Sequence, residues 1–138
     1  MQTHRLAWVL FSLFAAGCAT APKAIVTTVH TVQVPLPQMT GGLAPDKVAK
    51  VLWAHIDVLD HCFEEARQTA PALEGTVVLA WTIFLDGHPH DLRVDRTTAN
   101  SSILERCLLD RLREWRFPKP RRVPAQVVSY PLEFRLRK

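Results

Sequence analysis

The stretch Gly75-Thr-Val-Val-Leu-Ala-Trp-Thr-Ile-Phe-Leu-Asp-Gly87 decides the architecture. Val77, Leu79, Trp81, Ile83 and Leu85 fall on alternate positions, the period of a strand with one buried face. Asp86-Gly87 is a hairpin signal, because a tight turn between twisted strands needs residues that accept positive φ. The return segment places Leu92 and Val94 on one face, with Arg93 and Asp95 on the other. An antiparallel hairpin is therefore the nucleus, and helical patterns flank it.

Upstream, Val48, Leu52, Ile56, Leu59, Phe63 and Ala66 recur at helical spacing, with Asp46 placed to cap that helix and Pro71 beyond its end. Downstream, Ile103, Cys107, Leu108, Leu112 and Trp115 form a second apolar stripe; Ser102 with Glu105 matches a capping box, and Phe117-Pro118 ends the helix. Lys119-Pro-Arg-Arg122 is a basic loop. The chain then closes on Val128, Tyr130, Leu132, Phe134 and Leu136, alternating with Ser129, Pro131, Glu133, Arg135 and Arg137. Pro131 has no N–H to donate, which points to an edge position or a bulge for this final strand. The expected fold class is α+β: two helices packed on one face of a small antiparallel sheet, two layers in all.

The N-terminus has a different composition. A short cationic start ending in Arg5, an apolar run Leu6–Phe14 and the small residues Ala15-Ala-Gly17 have the layout of an export signal. The apolar run is too short to span a bilayer core of about 30 Å as a helix. The next residue is Cys18, so the segment resembles the lipobox of bacterial lipoproteins, with Ala15 where that pattern most often has Leu. The resemblance implies cleavage before Cys18, acylation of Cys18 and anchoring in a bilayer. Ala19, rather than Asp, after the cysteine implies the outer membrane and a domain facing the periplasm. Residues 18–45 carry Pro22, Pro35, Pro37 and Pro45 with Gly41-Gly42, a tether composition. Within them Thr31-Val-Gln-Val34 alternates like a short extra strand. The organisation is therefore signal peptide 1–17, lipidated tether 18–45 and folded domain 46–138.

Hydrophobic residues make up 48% of the chain, enough for a core. With Cys18 assigned to lipid, Cys62 and Cys107 remain, and in an oxidising compartment such a pair reads as one disulfide. The formal charge is +4, concentrated in Arg111–Arg122 and in Arg135, Arg137 and Lys138. Export makes nucleic acid an improbable partner for this basic stretch.

Several motifs fall in one order: Cys62-Phe-Glu64; Pro71-x-Leu-x-Gly-x-Val77; Ile83-x-x-Asp-Gly87; Cys107; Trp115-x-Phe-Pro118; and Tyr130-Pro-Leu-x-Phe134. Together they resemble the AgmX/PglI C-terminal domain, a relative of the TonB C-terminal domain. The resemblance implies a TonB-like fold and an envelope binding module rather than an enzyme. TonB itself begins with a membrane-spanning helix, whereas this chain begins with a lipid-anchor signal.

Catalytic chemistry finds little material here. No Gly-x-Ser-x-Gly elbow or phosphate loop occurs, and Ser101-Ser102 sit at a helix cap. His55 and His61 lie six positions apart, on different faces of a helix at about 100° per residue. No His-Glu-x-x-His helix or Cys-x-x-Cys pair is present, so neither metal nor cofactor is expected. The expected function is a non-catalytic protein-interaction module in envelope organisation, transport or motility machinery. Its partner would add as a strand beside the last strand, helped by Arg135, Arg137, Lys119, Arg121 and Arg122. The alternative is a binder of anionic glycan or lipid, such as peptidoglycan or lipopolysaccharide, through the basic loop. A hydrolase is the remote third reading.

Overall fold

The hairpin of residues 75–97 forms one side of a five-stranded antiparallel sheet in the computed structural model, which describes residues 31–136. The elements are β1 Thr31–Gln33, β2 Gln38–Gly41, α1 Pro45–Ala54, α2 Ile56–Arg67, β3 Gly75–Ile83, β4 Pro89–Thr97, α3 Ser102–Glu114 and β5 Ala125–Arg135. The strand order is β1-β5-β3-β4, with β2 pairing the other half of β5. The fold is α+β, with the helices packed on the sheet. Among the described residues three helices are present rather than the expected two, because the upstream helical pattern is interrupted at His55. There the ring Nδ1 lies 2.8 Å from the Val51 carbonyl oxygen, and the ring stacks on Trp115.

Val77, Leu79, Trp81 and Ile83 face the helices and are fully or almost fully buried, as are Val127, Tyr130, Leu132 and Phe134 of β5. Val48, Leu52, Leu59, Phe63, Leu104, Leu108 and Leu112 close over them. Burying each such large apolar side chain contributes roughly 1.5–3 kcal/mol relative to leaving it in water, so this layer dominates stability.

The last strand departs most from expectation. It is not an edge: β3 pairs it on one side, and β1 and β2 pair it on the other. Residues 31–33, within the short alternating stretch that suggested an extra strand, and residues 38–41, read as tether, supply those pairings and cover its outer backbone groups. Pro131 sits opposite Val78 in an internal strand, close to an irregularity. Between the pairs Leu79↔Tyr130 and Trp81↔Val127, β3 advances two residues while β5 advances three. That extra residue is a β-bulge, and it moves the buried series from Val128 to Val127, leaving Val128 exposed.

Other corrections are local. Leu85 lies beyond the end of β3 and is 48% exposed. Ile103 is on the outer side of α3, and Leu104 takes its place in the core. The cap of α3 is Ser101, whose Oγ accepts from the Leu104 N–H at 3.3 Å, so the Ser102–Glu105 capping box does not form. Helix α1 starts on Pro45 after Ala44, with Asp46 in the first turn rather than at the cap. A proline costs nothing there, because its missing N–H has no partner inside the helix. Among the described residues no helix is long and apolar enough to cross a membrane.

Candidate interaction surfaces

Cys62 of α2 and Cys107 of α3 form a disulfide with Cα atoms 5.6 Å apart. Cys62 is buried and Cys107 half-buried, so the bridge ties the helix pair together from the core outward. Cys18, Arg137 and Lys138 lie outside the described residues.

Arg135 is on the open face of the sheet near the end of β5, and its guanidinium is occupied. Nε donates to Glu133 Oε1 at 2.7 Å, and a terminal nitrogen of the same group donates to that oxygen. Lys119, Arg121 and Arg122 are exposed at the other end of β5, before Ala125. The sequence-chosen cations therefore form two groups at opposite ends of an eleven-residue strand.

The basic loop is held by backbone rather than by charge. Its Arg121 N–H donates to Gly42 O at 2.7 Å, and the Phe117 N–H donates to Gly87 O at 3.0 Å. Pro120 and Phe117 are buried beneath it. Among the described residues, no carboxylate pairs with Lys119, Arg121 or Arg122. Asp86, across the hairpin tip, is held below the usual carboxylate pKa, chiefly by the hydrogen bond from the His88 backbone N–H and then by the neighbouring histidines.

With β5 internal, β4 terminates the strand order. Its outer backbone borders a groove of about 540 Å³ against α3, where Leu92, Val94 and Leu109 form the floor and Arg93, Arg106 and Arg113 the rim. Two register shifts in the β3–β4 pairing and a positive φ at Asp91 distort this strand. Such irregularity, together with charge, guards an edge against indiscriminate pairing. On the other side of the sheet, the half-exposed Trp53 borders a cleft of about 520 Å³ with Val34, Pro35 and Pro131. Neither edge surface was read from the sequence. The edge assignment depends on which strands pair, and nothing in β4 itself announces it.

In the core, Trp81 Nε1 and Tyr130 Oη are buried without a hydrogen-bond partner among the described residues, their rings 5.8 Å apart. Burial raises the Tyr130 pKa far above its ordinary value. Among the described residues no group of three or more His, Cys, Asp or Glu side chains converges as a metal site. Comparison with protein-family models, curated proteins and solved structures finds no match to this chain.

Proposed function

We propose that this chain is an exported bacterial lipoprotein, anchored through acylated Cys18, whose domain is a non-catalytic interaction module of the AgmX/PglI, TonB-like kind. It works in the cell envelope, at the outer membrane facing the periplasm, and takes a protein segment as an added strand. The reading rests on the layout of the first eighteen residues and on motifs in the family's order, including the Cys62–Cys107 pair now joined across two helices. The observation that carries the binding mode is the β4 edge beside the groove floored by Leu92, Val94 and Leu109. An added strand satisfies its backbone on β4 and sets alternate side chains into that groove. This site replaces the β5 edge expected from sequence.

A photo-crosslinking residue at Asp95 in β4, introduced into cells making the full chain, tests it. A discrete crosslinked envelope protein from Asp95, absent from the same probe at Gln126 in β5, is the expected result. Equal yields from both positions, or none from Asp95, would remove β4 as the docking edge.

A further inference from the structure

The tip of the β3–β4 hairpin and the basic loop form one surface, and the strand-addition reading does not use it. Phe84 is 40% exposed, Leu85 48% and Val123 52%, although each is a large apolar residue in a chain with a well-filled core. Phe84 stacks on His90 at 3.9 Å, which fixes its ring at the tip. The Phe117–Gly87 backbone hydrogen bond joins hairpin and loop, while Arg121 N–H to Gly42 O and Val123 N–H to Arg121 O hold the loop's own shape. A Cβ on Gly87 would lie 2.4 Å from Phe117 O and 3.8 Å from Lys119 Cγ, so turn and loop are in contact.

Charge at this tip is one-sided. Residues 115–124 contain Arg116, Lys119, Arg121 and Arg122 and no acid. Arg116 donates only to the backbone oxygens of Glu114 and Trp115. The facing carboxylate, Asp86, is engaged by His88. An excess of cations interleaved with projecting apolar side chains fits one kind of surface. Anionic headgroups meet the guanidinium and ammonium groups while the apolar side chains enter the acyl boundary.

We propose that Phe84, Leu85 and Val123, with Lys119, Arg121 and Arg122, form a docking surface for an anionic lipid bilayer, separate from the Cys18 anchor. Its position supports a contact independent of that anchor. Thr31, the first described residue, pairs with Arg135, whereas the tip adjoins Ala125, so strand β5 separates them by about 33 Å. The surface acts whether or not β4 takes a strand.

The test is partition of the full-length chain, carrying Cys18→Ala to prevent acylation, between buffer and vesicles. The vesicles are phosphatidylcholine alone or phosphatidylcholine with phosphatidylglycerol. The leader, cationic at its start, contributes alike to every variant and to their parent, so the change in the anionic-minus-neutral difference on mutation isolates the tip. About tenfold tighter partition onto the anionic vesicles is expected, falling as salt is raised. Lys119→Glu with Arg121→Glu and Arg122→Glu should remove most of the difference. Phe84→Ser with Leu85→Ser, which leaves every cation in place, should reduce it severalfold. An unchanged circular dichroism spectrum and an intact disulfide establish that each variant is folded, and Leu85→Ser alone serves if the double variant is not. Equal partition onto both vesicle types overturns the proposal. So does a salt-sensitive preference that the serine variants leave intact and a soluble polyanion abolishes, which would assign the loop to anionic glycan instead.

Discussion

Cys62 and Cys107 are joined by a bridge whose two ends differ in burial: the Cys62 end lies inside the core, while the Cys107 end borders a polar cleft between α2 and α3. The bond closes a loop of 45 residues that contains the second half of α2, all of β3 and β4, and the first half of α3. In the chain-entropy account such a closure stabilises a fold by roughly 4 kcal/mol. Replacing both cysteines by alanine should therefore lower the free energy of unfolding in urea by about 2–4 kcal/mol. Non-reducing mass spectrometry of the native protein should recover the bridged peptide pair. Two free thiols in protein taken from the envelope would contradict this structure.

Tyr130 is the chain's one tyrosine, which makes it an unambiguous spectroscopic reporter. Its buried hydroxyl has no partner among the described residues, and burial raises its pKa above the free value. The folded state therefore favours the neutral phenol. This contribution is fully present below the unfolded pKa of about 10 and is lost as pH rises from there toward the higher folded value. Between pH 9 and 11 the wild type should lose more stability than Tyr130→Phe, and tyrosinate absorbance near 295 nm should appear only with unfolding. At neutral pH Tyr130→Phe should be neutral or stabilising by up to about 1 kcal/mol, because it removes an unsatisfied polar group. A loss larger than that would reveal a partner for the hydroxyl.

Gly87 has φ +85, and a Cβ there would strike the Phe117 carbonyl oxygen at 2.4 Å. Gly87→Ala therefore strains the turn and pushes the hairpin off the basic loop. A loss of more than about 1 kcal/mol in thermal or urea unfolding is expected. Hydrogen exchange should quicken at the Phe117 amide, whose acceptor is Gly87 O. An alanine variant as stable as the wild type would mean that the turn adopts another conformation.

Anchoring through Cys18 has a direct readout. Cys18→Ala should move the protein from the membrane fraction to the soluble or precursor fraction, and metabolic labelling with palmitate should be lost. A variant still processed and retained on membranes through an alkaline wash would overturn the lipoprotein proposal.

The β3–β4 hairpin was legible because Val77, Leu79, Trp81 and Ile83 alternate without exception and a turn signal follows. Cys62 and Cys107 were legible because the export expected from the first eighteen residues leaves such a pair few other uses. The break at His55 was not, since Leu52, Ile56 and Leu59 keep helical spacing across it. Nor was the bulge: Val127 and Val128 are adjacent and chemically identical, so pattern alone cannot say which faces the core. The edge was misplaced because β1 is three residues long and lies among prolines, where composition reads as linker. In the candidate surfaces, the loop's charge was visible in the sequence. The exposure of Phe84, Leu85 and Val123 was hidden, because apolar residues read as core until a fold leaves them out.

The pairing of β1 with the C-terminal half of β5 sets how the domain responds to mechanical load. Tension on the chain N-terminal to Thr31 is borne first by the three pairs Thr31↔Arg135, Val32↔Phe134 and Gln33↔Glu133. Once they part, the connection to β2 and then β2 itself can pay out, while the disulfide keeps α2 and α3 clamped. Freed, the fourteen residues from Thr31 to Ala44 reach at most about 45–50 Å, and paired they already span about 33 Å along β5, so release adds on the order of 15 Å in that direction. The first described strands thus form a zipper that opens pair by pair from Thr31, ahead of the disulfide-clamped helix pair.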